Sequence, residues 1–413
     1  MLLNINQRKT NMKPTLKHRY PITRGVLSLL SVLTFATAPL CLAGAQDNSS
    51  ARHAIAGETG QNMEHPKIQL AILLDTSSSM DGLIDQARNQ LWRVVDEFSK
   101  AERNGKPAVL EVAVFEYGNS SLEASNGYIR KVTGLTGDLD RVSEALFSLT
   151  TNGGKEYCGQ VIMKAAEQLQ WSVSDREIKA IFIAGNEPFT QGPIRYNHAI
   201  DAAKAAGITV NTIYAGGHEE GLKSGWRHGA LLAGGDYMSI DHNHRIAHID
   251  APQDQRIAEL NSELNQTYLP FGNEGKAGKA RQLQQDANSS SISPALLAKR
   301  TKSKAGSLYS NSRWDLVDAV EEDEVILENL DERELPSEMS GMDLGQRKAY
   351  ISERQAQRAG IKQEIAELSR AREKYVAEQR TKSASNNTAT INQALVSSVR
   401  KQGKEKNYSF LDD

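Results

Sequence analysis

Ile68-Gln69-Leu70-Ala71-Ile72-Leu73-Leu74-Asp75-Thr76-Ser77-Ser78-Ser79 decides the fold. Its first half is almost continuously apolar instead of alternating, the pattern of a parallel strand buried on both faces. Its polar half follows at once, where such a strand would end. Ligands of open α/β sheets bind outside the carboxyl ends of the strands. Residues two apart in an extended segment point to one side, so Asp75, Ser77 and Ser79 converge if the chain turns there. One carboxylate and two hydroxyls are hard oxygen donors that suit Mg²⁺, with Mn²⁺ or Ca²⁺ as the other candidates. The plainer alternative is a strand-to-helix turn whose serines cap the next helix.

Outward from this stretch the pattern alternates strand and helix as far as about residue 243. Leu83, Ala87, Leu91, Val94, Val95 and Phe98 fall at helical spacing and predict a helix from Met80 to about Glu102. Val109 to Phe115 and Tyr128 to Val132 read as strands, Leu139 to Leu149 and Gly159 to Trp171 as helices. Ile178 to Ala184 is an apolar central strand, Asn197 to Ala206 a helix closed by Gly207, and Ile208 to Ala215 a further strand. A helix around Leu222 to Leu232 and a strand from Tyr237 to Ile240 complete the series. Such alternation calls for a doubly wound, mostly parallel α/β sheet.

The order of these elements, with Asp75-Thr76-Ser77-Ser78-Ser79 behind the first strand, resembles the Rossmann-like von Willebrand factor A (VWA) domain over residues 65–250. In that family the motif opens a metal-ion-dependent adhesion site, to which a later loop adds a Thr and the end of the central strand adds an Asp. This sequence departs from the pattern at both places. In the loop Asn152-Gly153-Gly154-Lys155-Glu156-Tyr157-Cys158-Gly159, Glu156 stands where the resemblance expects the Thr. In Ala184-Gly185-Asn186-Glu187-Pro188, Gly185 stands where it expects the Asp, leaving Asn186 or Glu187 to reach an ion directly or through water. The resemblance thus implies a variant site of Asp75, Ser77, Ser79, Glu156 and Glu187. It also implies a non-enzymatic module whose cation engages an acidic group of an unidentified protein partner. For Glu156 and Glu187 the alternative is a loop position with no metal role. For the whole protein the alternatives are a cell-envelope enzyme, either a metal-assisted phosphatase or a thiol enzyme using Cys158, and an inert scaffold with a degenerate site.

A chain of 413 residues is too long for one ordinary domain. With 49 Lys+Arg against 51 Asp+Glu, a net charge of −2, it has no global field to favour nucleic acid. The N-terminus carries the basic residues Lys9, Lys13, Lys17, Arg19 and Arg24. The mostly apolar run Val26 to Leu42 follows, then the small-residue site Ala43-Gly44-Ala45. That succession reads as a signal peptide over residues 1–45, cleaved before Gln46, with a linker over 46–64 and export to the periplasm or cell envelope. The alternative is an uncleaved membrane anchor. Cleavage removes Cys41 and leaves Cys158 alone, so no internal disulfide forms and stability rests on a packed core.

Other candidates carry less. His242, His244 and His248 match no strong zinc spacing and read as a solvent-facing loop. Cys158 precedes a helix, and His198 or His218 is a conceivable base, but a small semi-buried residue is the simpler reading. Asp75 also invites comparison with phosphoryl-transfer enzymes of the haloacid dehalogenase pattern, which want a second Asp where Ser77 stands; hydroxyls there favour holding a cation over covalent catalysis. Residues 251–346 read as charged and partly ordered, 347–380 as a long helix, and 381–413 as a flexible tail. In the long helix Ile361, Ile365, Leu368 and Tyr375 approach heptad spacing, which suggests a coiled coil, but Arg372 interrupts the seam. Packing on the A domain or on a partner is therefore preferred to self-association.

Overall fold

The computed structural model describes residues 65–241, 248–382 and 391–410. The expectations for the signal peptide, the linker, His242 and His244 lie outside the described residues.

The first half of the chain runs β1 (Lys67–Asp75), α1 (Asp81–Phe98), β2 (Ala101–Arg103), β3 (Lys106–Pro107), β4 (Val109–Tyr117), β5 (Ile129–Thr136), α2 (Leu139–Phe147) and α3 (Cys158–Gln168). It continues with β6 (Ile178–Gly185), α4 (Tyr196–Ala205), β7 (Thr209–Ala215), α5 (His218–Lys223), α6 (Trp226–Leu232) and β8 (Tyr237–Ile240). Strands β5-β4-β1-β6-β7-β8 form one sheet in that order, parallel except for β5, which is antiparallel to β4. The doubly wound, mostly parallel architecture is as the sequence implies. Because β1 is central, its alternate residues serve two cores. Ile68, Leu70, Ile72 and Leu74 pack with α1 and α2, while Ala71 and Leu73 pack with α3 and α4.

Two local expectations change. The helix predicted to reach Glu102 ends at Phe98. Asn104 (φ 55°) and Gly105 (φ 72°) then both adopt the left-handed conformation that a two-residue hairpin demands, and they fold β2 back on β3. The helix expected around Leu222 to Leu232 is two short ones, α5 and α6, separated at Gly225.

The second half is helical: α7 (Asp254–Asn265), α8 (Gly275–Ile292), α9 (Pro294–Ala305), α10 (Leu316–Glu321), α11 (Leu344–Lys382) and α12 (Ile391–Glu405), closed by β9 (Ser409–Phe410). These elements do not stand apart from the sheet. Leu260, Leu264, Leu296, Ile361 and Ile365 belong to the same apolar core as α1 and β1. Much of the region expected to be partly ordered, and residues 391–410 of the tail expected to be flexible, fold into packed elements. Within 391–410, α12 places Ile391, Leu395 and Val399 against the sheet, and β9 pairs with β2. A core built from both halves joins the second half to the 65–250 region.

Charged residues of the second half are buried in matched sets. Arg300, fully buried, donates to Asp286 at 2.6 Å and to Asp140 of α2 at 2.7 Å. Lys304 adds Asp286, Asn261 and Asn265. Arg358 binds Asp315 at 2.8 Å and also Asp318, with its guanidinium over the Tyr268 ring. Arg372 is no break in α11's apolar stripe. It is buried in a pair with Asp254, so α11 uses that stripe inside the chain.

Candidate metal centre

Three neighbouring parallel strands end together. Asp75 closes β1 opposite Tyr117 of β4, and Leu74 lies opposite Ala184, one residue before Gly185 at the end of β6. The chain leaves β1 toward β4 on one side and later returns to β6 on the other, so this is the reversal point where an open α/β sheet leaves a crevice.

Asp75 is fully buried. Its Oδ1 accepts the Ser77 backbone N–H at 2.8 Å, which folds the Ser-rich turn back over the strand end. Its Oδ2 is buried with no hydrogen-bond partner. The Asp75 carboxyl is pushed up to about 7, chiefly by burial and also by the nearby Glu156, which the Ser77 hydrogen bond and the nearby Asn186 backbone only partly offset. Glu156 is buried too and its carboxyl is raised, first by burial and then by the charge of Glu187. Gly118 shows how close the two acids come. A Cβ there would stand 2.8 Å from Asp75 Oδ1 and 2.9 Å from Glu156 Cγ. With φ at +81°, Gly118 is also in a conformation that other residues rarely adopt.

The turn carrying Glu156 is tied to this spot. Asn152 N–H donates to the Thr76 carbonyl at 3.1 Å, and Glu156 N–H donates to Gln191 Oε1 at 2.6 Å. Ser77 is buried beside Asp75, while Ser79 is exposed and accepts from Asn186 Nδ2 at 3.2 Å. Glu187 is exposed. It acts on Glu156 through its charge, and its backbone carbonyl accepts from Trp226 Nε1. Asp75, Ser77 and Glu156 thus form the inner group, with Ser79 and Asn186 beside it and Glu187 at the rim.

Gly185 has a cause that the sequence conceals. A Cβ at 185 would lie 2.4 Å from the Tyr117 hydroxyl and 3.0 Å from Asp75 Oδ2. Tyr117, fully buried, donates to the Ala184 carbonyl at 3.0 Å and so occupies the space that an acidic side chain at 185 would need. Only the alternation in β4 hinted at it, since 113, 115 and 117 share a face.

The remaining candidates are not drawn in. Cys158 is fully buried with its thiol pushed well up, first by burial and then by Asp75. His198 and His218 are exposed on other elements, and His248 is half-buried far along the chain. Among the described residues no three His, Cys, Asp or Glu side chains gather closely enough to hold a metal by those donors alone. A cation at Asp75 would therefore depend on the hydroxyls as well as the carboxylates. A buried, unpartnered carboxylate oxygen beside a second carboxylate and a serine hydroxyl is a donor set that fits a hard divalent ion.

The family model of the von Willebrand factor type A domain matches residues 69–222. Residues 69–222 are a von Willebrand factor type A domain. The A domain therefore takes in Asp75, Ser77, Ser79, Glu156, Gly185 and Glu187. Similar solved structures include proximal thread matrix protein 1 from the mussel byssus with a zinc-occupied MIDAS motif. It is 14% identical, with 42% of each chain covered and a TM-score of 0.31. Another is an aerotolerance-related membrane protein from Bacteroides fragilis, 16% identical over 42% of this chain and 92% of that one, with a TM-score of 0.30. The match thus spans less than half the length of the mussel protein. Among curated proteins no sequence matches this chain significantly.

Proposed function

We propose that this protein is a non-enzymatic, exported binding module of the periplasm or cell envelope, whose A domain uses a divalent cation, Mg²⁺ by preference, to engage an acidic group of a partner protein. The observation that carries this reading is the buried, unpartnered Asp75 Oδ2 beside Glu156. Two like charges brought together without a cationic side chain repel each other, which a fold tolerates where a ligand completes the set. Asp75, Ser77 and Glu156 would hold the ion, with Ser79 and Glu187 at the rim. When bound, the ion supplies an electrophilic point to which an anionic oxygen can attach. The Ser77 backbone N–H orients Asp75, Gln191 fixes the backbone at Glu156, and Tyr117 keeps the space at Gly185 closed. A thiol enzyme is disfavoured because Cys158 is fully buried with a raised pKa.

Calorimetric titration of Mg²⁺ and Mn²⁺ into wild type and Asp75→Ala tests the site, and equal affinities would remove Asp75 from it. Partner capture from envelope extracts, reversed by chelator and absent in Asp75→Ala, tests the binding role. Turnover of a phosphate ester abolished by Asp75→Ala would favour the phosphatase instead. Export is tested separately: N-terminal sequencing of the mature protein should begin at or near Gln46, and retention of residues 1–45 would indicate an anchor.

A further inference from the structure

A cleft of about 690 Å³ opens at the other end of the sheet, between the beginning of β4, the end of β5 and the loop from α9 to α10. Val109 opens β4 eight residues before Tyr117, so the cleft lies about 26 Å from the strand ends that carry Asp75. It is therefore distinct from the carboxylate site.

The loop that walls this cleft is fixed from within. Asn311, 5% exposed, donates its backbone N–H to Asp318 Oδ2 at 2.9 Å, and its carbonyl accepts from the N–H groups of Trp314 and Asp315 at 2.9 and 2.8 Å. Asp318 is held in turn by Arg358. The Trp314 indole donates to Asn311 Oδ1 at 3.0 Å. An indole N–H can only donate, so this bond decides which end of the Asn311 amide is the oxygen. The other end, Nδ2, is buried without a hydrogen-bond partner among the described residues. A rigid, buried amide donor in the wall of a cleft calls for an acceptor from outside, and a carbonyl oxygen serves best.

The rest of the wall selects among ligands. Asp138 is bound by Arg141 and Arg281, and Glu111 by Gln69 and Lys67. The exposed side chains of Arg313, Glu322 and Glu324 also line the cleft and enter no ion pair or hydrogen bond among the described residues. Ser307, Ser310 and Ser312 add hydroxyls, while Val109 and Leu308 add apolar surface. Two acids disfavour an anionic ligand, and Arg313 between the hydroxyls disfavours a cationic one. A neutral molecule rich in hydroxyls suits both signs, because each hydroxyl can donate to a carboxylate or accept from a guanidinium. The cleft's volume is that of a small-molecule pocket.

We propose that this cleft binds a neutral oligosaccharide bearing acetamido groups, whose carbonyl meets the Asn311 amide while its hydroxyls meet Glu322, Glu324 and Arg313. Triacetylchitotriose and cellotriose are matched probes, since they differ only in the acetamido group that replaces one hydroxyl on each ring. Titrated into the full chain, triacetylchitotriose should bind saturably and cellotriose roughly tenfold more weakly or worse. The Glu322→Gln, Glu324→Gln double variant should bind triacetylchitotriose roughly tenfold more weakly than wild type. It should melt at the wild-type temperature, because both side chains are exposed and unpaired, so lost binding would not reflect lost folding. Asn311→Asp keeps an oxygen for the Trp314 indole and removes the amide donor, and it should lose the preference for triacetylchitotriose over cellotriose. A capped neutral peptide, acetyl-trialanine amide, tests the competing ligand class. The absence of saturable triacetylchitotriose binding overturns the proposal. So does cellotriose binding of equal strength, or triacetylchitotriose binding that survives the double variant. Displacement of the sugar by the peptide at equal or lower concentration overturns it in favour of a peptide site.

Discussion

Asp75 and Asp286 are both buried carboxylates, and their surroundings treat them oppositely. At the strand ends Asp75 has one oxygen without a partner and a second acid nearby, and its pKa rises to about 7. Among the C-terminal helices burial would also raise Asp286, but Lys304 and Arg300 outweigh it and hold the carboxyl well below its ordinary range. The second arrangement is self-contained: each charge has its answer within the chain, and the set joins α8 and α9 to α2 through Asp140. The first arrangement is incomplete. Burial of charge therefore does not by itself mark a functional site; burial without a counter-charge makes a candidate one.

Arg300 should show the largest effect. Replacing it with Met leaves Asp140 and Asp286 buried and short of a cation, and should cost ~3–5 kcal/mol in urea unfolding. A loss below 1 kcal/mol would mean that these acids are not held by their partners.

Asp75 should respond with the opposite sign. Its folded pKa of about 7 lies above the ordinary 3.8, so between those values the folded state keeps a proton that the unfolded chain has released. Metal-free stability should therefore fall as pH rises from about 4 through about 7, by ~2–4 kcal/mol, and Mn²⁺ should restore it. Asp75→Asn should abolish this decline and weaken Mn²⁺ binding at least tenfold. Asp286, with its lowered pKa, gives the mirror image: stability present above its unfolded pKa and lost as pH falls below about 4. Urea melts at pH 3, 5 and 8, with chelator and with Mn²⁺, compare the two directly. Equal metal-free stability at pH 5 and 8 would contradict the reading of Asp75.

Smaller effects sharpen the account of the strand ends. Gly185→Ala should cost ~1–3 kcal/mol through overpacking against the Tyr117 hydroxyl, and Tyr117→Phe should relieve part of that cost. For the same reason Gly185→Asp should fail to restore a conventional acidic ligand while Tyr117 remains. Additive effects in the double mutant would show that the two positions do not compete for space. Glu156→Thr should then lower Mn²⁺ affinity by roughly tenfold or less, ~1 kcal/mol, read by the same titration, and an unchanged affinity would place Glu156 outside the site.

The parts legible in the sequence were those encoded locally. The unbroken apolar run of β1, the strand-helix alternation and the spacing of Asp75 and Ser77 all act over a few residues. Glu156 was legible only through the family resemblance of its Gly-Gly loop, which the structure brings back to the Thr76 carbonyl. Tyr117 was not, because its claim on the space at Gly185 depends on β4 and β6 flanking β1, an order that no local pattern specifies. The C-terminal half was misjudged for the same reason. Arg300, Lys304, Arg358 and Arg372 look like surface charge until their partners are placed, and Arg300 meets Asp140 across 160 positions of sequence. The hairpin at Asn104-Gly105 was different: its signal was present, but the apolar periodicity of α1 obscured it.

Tyr408 donates its hydroxyl to the carbonyl of Lys67, the first residue of β1, at 2.8 Å, while β9 pairs with β2 and α12 covers Ile178 and Phe182. The last residues described therefore lay the floor beneath the first strand. During synthesis the sheet strands emerge long before this closing segment, and the part of the β6 face that α12 covers stays open until then. Contacts so distant in sequence make folding slow and keep it from finishing before this segment has emerged. The A domain should thus close its core only once α12 and β9 have been made.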